Sequence, residues 1–204
     1  MFDCFSQAVS LQVVGESFSW TDGSRLVLHE DSHTSLMGLR QLCPGGQLSV
    51  ATDQNILDLA QQSSDLHRAP NLFCFPAMSN FNGKKYPLGW VEKLQHPSSQ
   101  NFVLLDAAAF LSSNGLDLAK IQPAFIVLSF YKMFGYPTGL GALLIKKSCI
   151  GVLEKKYFGG GTVDVALVHT DFHVSRKQTS QKYEDGTSHF LGQLRVEMSD
   201  INYL

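Results

Sequence analysis

An α/β fold built on a mainly parallel sheet, with helices covering both faces, is what this sequence predicts, on three observations. Short apolar runs rich in branched residues alternate with segments of helical spacing, the pattern of parallel strands joined by crossover helices. Several runs, such as Phe125-Ile126-Val127-Leu128, are continuously apolar, as strands buried on both faces must be. Polar residues of catalytic type fall repeatedly just after these runs, where an open α/β sheet collects its ligands.

The first expected element is an apolar-stripe helix of which residues 10–20 form the second half, with Leu11, Val14 and Phe18 at helical spacing. Little sequence precedes it, so this apolar stripe is expected to lie uncovered. Residues 25–29 alternate polar and apolar like a strand, and 32–42 read as a helix capped by Asp31 or Ser32. A strand over 47–51 follows. Thr52 or Asp53 then caps a helix over 56–62, whose Ile56, Leu59 and Ala60 share one face. Residues 63–70 read as a polar linker, 72–75 as a buried strand, 87–94 as a short helix opened by Pro87, and 102–105 as another strand. After the run at 125–128, Gly135, Pro137, Gly139 and Gly141 mark a tight return into a second apolar run at 142–145. No repeat or dividing linker breaks the 204 residues, so one domain is expected.

Composition narrows the function classes. Apolar residues make up 44% and charged residues 17%, an ordinary globular balance. A net charge of −2 gives no reason to expect nucleic acid or an anionic membrane as partner. No apolar run approaches the roughly 18 residues of a membrane span, and MFDCFSQAV has an acid where a signal peptide needs basic charge. The four cysteines, Cys4, Cys43, Cys74 and Cys149, have no framework spacing, which suits a reducing, cytoplasmic setting in which they act as small hydrophobes.

The strand ends supply the candidate residues. Lys132 follows the 125–128 run and is either a surface lysine of a return or an amine kept beside an apolar pocket. Asp106 ends an apolar strand, where it either caps the following turn or is a buried carboxylate needing a partner. His33 either caps a first helical turn or carries protons near neutral pH. Asn80 precedes Gly83 in a turn. His169 and His173 have a metal-like spacing but no HExxH glutamate, so no metal site is expected. The lysine pairs Lys84-Lys85, Lys146-Lys147 and Lys155-Lys156 read as solvated loop charges.

The wording of several segments adds to this. Ser129-Phe130-Tyr131-Lys132, with Phe134-Gly135, Pro137-Thr138-Gly139 and the GALL run, resembles the lysine segment of class V aminotransferase-fold enzymes. Within them it looks most like the desulfurase domain of molybdenum cofactor sulfurases. Asp31-Ser32-His33-Thr34-Ser35, Ser79-Asn80-Phe81-Asn82-Gly83, the YFGGGT at 157–162 and the EDGT at 184–187 extend the resemblance over about residues 10–190. It implies the large domain of a pyridoxal phosphate-dependent transferase, aspartate aminotransferase-like and of fold type I. Residues 1–204 would then be one partial domain without the small C-terminal subdomain.

The resemblance also implies roles. Lys132 would form the Schiff base with pyridoxal 5′-phosphate, Asp106 would pair with the pyridine nitrogen, and His33 would stack on the ring and shuttle protons. Asn80 would bond the phenolic oxygen, Ser129 and Tyr131 would serve the phosphate, and Thr187 would reach the phosphate of a neighbouring subunit in a homodimer. The implied reaction is sulfur transfer from L-cysteine to molybdenum cofactor. A general cysteine desulfurase or lyase of the same fold, or a noncatalytic fragment, are the alternatives. Three departures stand out: Ser6-Gln7-Ala8 replaces a Gly-Ser-Thr type phosphate loop, Ala109 stands where cysteine desulfurases carry a glutamine, and Tyr131 where they carry a histidine. Residues 195–204 no longer read like the family helix. The persulfide-forming cysteine and the substrate-binding arginine are expected in segments beyond Leu204.

Overall fold

A computed structural model describes residues 2–3, 6–66, 69–135, 138–187, 190 and 193. Cys4, Pro137 and 195–204, used in the sequence reading, lie outside the described residues.

Seven strands form the main sheet: β1 (Phe2–Asp3), β2 (Leu26–His29), β3 (Leu48–Ala51), β4 (Asn71–Pro76), β5 (Asn101–Asp106), β6 (Phe125–Ser129) and β7 (Gly141–Ile145), in the order β1-β7-β6-β5-β4-β2-β3. Strands β2 to β6 run parallel. β7 returns antiparallel to β6, and β1 antiparallel to β7. The C-terminal ends of β2, β4, β5 and β6 therefore share one edge of the sheet.

The continuous apolar runs divide by strand alternation between two faces. Leu72, Cys74, Leu104, Phe125 and Val127 pack on the side of helix α1 (Gln7–Ser17). Phe73, Phe75, Val103, Leu105 and Ile126 pack on the side of α3 (Ile56–Leu66) and α4 (Trp90–Leu94), which follow the short helix α2 (Thr34–Met37) in the chain. Both faces being covered, β2 is buried at all four positions, so the expected alternation at 25–29 does not translate into a wet face.

Helix α1 begins at Gln7, where the Ser6 hydroxyl accepts from the Val9 N–H and caps it, and it ends at Ser17, short of the expected Trp20. Its stripe is not uncovered: Leu11, Val14 and Phe18 are buried against the sheet and Leu153. Gly15 lets α1 approach the 38–42 turn so closely that a Cβ there would lie 2.6 Å from Leu39. That turn is a 3₁₀ helix at Gly38–Gln41, not a continuation of α2 to Leu42. The tighter winding aligns residues three apart, and Leu39 and Leu42 both point at Gly15. The predicted linker at 63–70 is also corrected, since α3 runs on to Leu66. Ser, Gln and Asp are tolerated in helices, and no Gly or Pro stops the chain before Pro70.

The return from β6 to β7 passes through one helical segment, α5 (Phe130–Phe134), ended by Gly135 in the left-handed conformation (φ 77°). A hairpin of β8 (Val163–Leu167) and β9 (Phe172–Ser175) forms a separate two-stranded sheet, followed by α6 (Thr179–Tyr183). His173 lies on β9 and stacks on Phe158, with ring centroids 4.4 Å apart.

Candidate active site

Asp106 is the last residue of β5 and only 4% exposed, on the α1 side of the sheet. Its Oδ1 accepts from the Ala108 N–H at 3.0 Å, which caps the turn, and its Oδ2 accepts from Gln7 Nε2 at 2.7 Å. Both sequence readings of Asp106, cap and buried carboxylate, thus hold at once. Burial pushes its carboxyl up, while the Ala108 N–H and then the charges of Lys132 and His33 and the Gln7 bond pull it down. Burial prevails, so this carboxylate is under-compensated by its present partners.

Lys132 lies on α5, half-buried, and its Nζ donates to Asn80 Oδ1 at 2.9 Å. The two residues are 52 apart in sequence and come from the connections after β6 and β4, the two strands that flank β5. Ser129 closes β6 and is buried, and its hydroxyl finds no hydrogen-bond partner among the described residues. Tyr131 faces outward, 43% exposed.

His33, not Asp31 or Ser32, caps α2: its Nδ1 accepts from the Ser35 N–H at 3.2 Å. An accepting Nδ1 places the ring proton of the neutral imidazole on Nε2 and leaves that nitrogen for other partners. Asp31 instead receives the Tyr86 hydroxyl. Burial and the Asp31 carboxylate push that phenol well up, so it remains a donor. The His29 Nδ1 also accepts from the Asp31 N–H at 3.2 Å, so the segment leading into His33 is tied at both ends.

Asp53 does not serve as the predicted cap of α3 either. Its carboxylate lies between Lys84 Nζ (2.6 Å) and His29 Nε2 (3.0 Å). Mainly through the Lys84 bond, it is held below the usual carboxyl range. Lys84 is therefore paired, and so is Lys155, whose nearly buried side chain reaches Asp185 at 2.5 Å. Lys155 corrects the reading of these lysines as solvated charges, whereas Lys84 stays exposed while paired.

Thr187 is exposed, and no described contact joins it to the Lys132–Asp106 group. The two glycine-bearing segments of the sequence reading do meet. Gly159 N–H donates to Asp185 Oδ1 at 2.8 Å, and a Cβ on Gly159 would lie 2.4 Å from the Asp185 carbonyl. Gln7 is the residue that sequence reasoning missed. Only its place at the head of α1, in the position of an expected phosphate loop, hinted that it would reach the strand ends.

The arrangement gathers an amine, a buried carboxylate, an imidazole and a carboxamide at one edge of a parallel sheet. An amine suits covalent capture of an aldehyde, and a buried carboxylate suits a cationic donor. Comparison with known proteins agrees with this chemistry. A sequence description of the family "Aminotransferase class-V" matches residues 7–198. The chain is 45% identical over 187 residues to molybdenum cofactor sulfurase 2 of Culex quinquefasciatus, covering 89% of this chain and 24% of that protein. It is 42% identical over 202 residues to the molybdenum cofactor sulfurase of Homo sapiens, covering 89% of this chain and 23% of that protein. The chain thus spans about a quarter of the length of these relatives. The fold matches the cysteine desulfurase CsdA of Escherichia coli with a TM-score of 0.75 at 18% identity, over 94% of this chain and 49% of that one. It also matches the cystine C-S lyase C-DES with a TM-score of 0.74 at 17% identity, over 97% of this chain and 56% of that one. With a family match that spans nearly all of its sheet and every strand-end residue described above, this chain belongs to the class V aminotransferase family.

Proposed function

We propose that the chain carries the pyridoxal 5′-phosphate-binding part of an enzyme that takes sulfur from L-cysteine and delivers it to molybdenum cofactor. The observation that carries this reading is the convergence of Lys132, Asn80, His33 and Asp106 on one strand-end edge, around a carboxylate that burial leaves short of positive charge. The residues fit the cofactor's chemistry: an amine for its aldehyde, a carboxylate for its ring nitrogen, and the unpartnered Ser129 hydroxyl for its phosphate. When bound, the cofactor supplies an electron sink for the carbanion left at the substrate Cα.

In this reading Lys132 Nζ would be the covalent anchor, and the Asp106 carboxylate would accept from the ring nitrogen and keep it protonated. Asn80 would hold the phenolic oxygen, and His33 would lie against the ring. Ser129 and Tyr131 would serve the phosphate, and Thr187 would do so from a neighbouring subunit of a homodimer. The substrate Cα proton would pass to Lys132 Nζ or His33 Nε2. Residues 1–204 act as part of one class V domain. The free thiols of Cys43, Cys74 and Cys149 support a cytoplasmic setting, and no described helix is long and apolar enough to cross a membrane.

Identity above 40% to the molybdenum cofactor sulfurases favours that acceptor over a general desulfurase, for which the support is a fold match below 20% identity. The test is to titrate pyridoxal 5′-phosphate into the chain and into Lys132→Ala, following visible absorbance and retention after gel filtration. The parent should retain the cofactor with the shifted absorbance of an amine adduct, and Lys132→Ala should lose that absorbance. An unchanged spectrum in Lys132→Ala would remove the proposed anchor.

A further inference from the structure

We propose that Gln7 is a displaceable occupant of the Asp106 subsite, its carboxamide holding the carboxylate oxygen that a cationic ring nitrogen would take. The inference rests on the cofactor reading above but concerns a residue with no role in it.

The geometry is specific. Asp106 is almost wholly buried, one oxygen is committed to the Ala108 N–H, and Gln7 Nε2 lies 2.7 Å from the other. The contact joins residues 99 apart, across the gap between the head of α1 and the end of β5. Gln7 is half-buried at the first position of α1, where its side chain can swing about its own torsions without breaking a helical hydrogen bond. Its donor is neutral. It satisfies the carboxylate's hydrogen-bonding capacity but adds no positive charge, and burial still prevails over all of that carboxylate's partners. A protonated ring nitrogen would supply both donor and charge, and charge-assisted hydrogen bonds are the stronger kind. Exchange is therefore favourable for a cationic donor and unrewarding for a neutral one. Gln7 closes the subsite in the free protein, screens it against neutral rings, and lowers the fraction of chains ready to bind.

The experiment compares pyridoxal 5′-phosphate affinity in the parent, Gln7→Ala and Gln7→Leu, with Lys132→Ala as the control for anchoring. Removing the occupant should tighten binding by about three- to tenfold, the effect expected when one such hydrogen bond no longer has to be broken. Gln7→Leu, which keeps bulk without a donor, should lie between. A Kd that is unchanged or weaker in Gln7→Ala, while the parent binds through Lys132, overturns this inference and leaves the cofactor reading standing. Cofactor retention by none of the chains overturns both. A second readout needs no cofactor: carboxyl NMR of the free protein should show Asp106, which faces Lys132 and His33 as well, titrating at higher pH in Gln7→Ala than in the parent. An identical midpoint would mean that Gln7 does not hold Asp106 in solution, and would overturn the inference on its own.

Discussion

Gln95 gives a measurable handle on what holds β5 and β6 in place behind the candidate site. It follows α4, and its Oε1 accepts two backbone donors at once: the Val103 N–H at 2.8 Å and the Ala124 N–H at 2.6 Å. Val103 and Ala124 are both fully buried, so neither amide has ready access to water once the acceptor is gone. Gln95→Leu keeps the side-chain volume and removes the acceptor. Leaving a buried donor unpaired costs about 1–3 kcal/mol; because Gln95 is itself half-buried, the low end applies to each, giving about 2–4 kcal/mol in total. For a chain of this size that corresponds to a fall in Tm of roughly 4–16 °C. Gln95→Glu keeps an acceptor and should stay within about 1 kcal/mol of the parent. Urea unfolding of the three proteins, read as shifts in midpoint at constant slope, decides the matter. If Gln95→Leu unfolds within about 0.5 kcal/mol of the parent, below the lowest cost of one orphaned donor, the side chain does not tie the two strands together.

Four further outcomes follow from the site. Because burial raises the Asp106 carboxyl, the folded state binds its proton more tightly than the unfolded state. The stability this group contributes is present below the ordinary value of 3.8 and is lost as pH rises through the folded one. Asp106→Asn should remove that loss, so the cofactor-free variant should be more stable than the parent at neutral pH and lose this advantage below pH 3.8, as pH-dependent unfolding would show. Ser129→Ala should leave the free protein as stable or slightly more so, since it deletes an unpaired buried hydroxyl, while weakening pyridoxal 5′-phosphate binding by about tenfold, or 1.4 kcal/mol, in a titration. With cysteine and cofactor supplied, the 204 residues alone should release no sulfide above free cofactor in a colorimetric assay. Cys43 and Cys74 are buried, burial pushes the Cys74 thiol well up, and Cys149 follows β7 at the opposite edge of the sheet from Lys132. Gly135→Ala should destabilise the α5 turn by about 1 kcal/mol in the same unfolding assay, because φ of 77° suits glycine alone.

The strands of the sheet were legible because a strand buried on both faces must be apolar at every position, as at 72–75 and 125–128, and few other elements read that way. That Lys132, Asn80, His33 and Asp106 would share one edge was legible because a parallel sheet puts the ends of its strands there. What escaped was decided by tertiary contact. The β8–β9 hairpin carries exposed Val165, Leu167, Phe172 and Val174, so burial leaves no pattern in its sequence. The 3₁₀ turn at 38–41 answers to the close passage of Gly15, which local periodicity cannot register. Asp53 and Gln7 were each read from their chain neighbours, whereas their partners, His29 with Lys84 and Asp106, lie 24 to 99 residues away. The covering of Leu11, Val14 and Phe18 depended on Leu153 and on strands far along the chain.

The central claim is that Lys132 anchors pyridoxal 5′-phosphate. Reducing the loaded protein with borohydride and mapping the labelled peptides tests it most directly, because reduction fixes the cofactor to whichever amine holds it. The account predicts a pyridoxyl group on Lys132, beside Asn80 and facing Asp106. A label confined to Lys84 or Lys155, both already paired with aspartates, would contradict it.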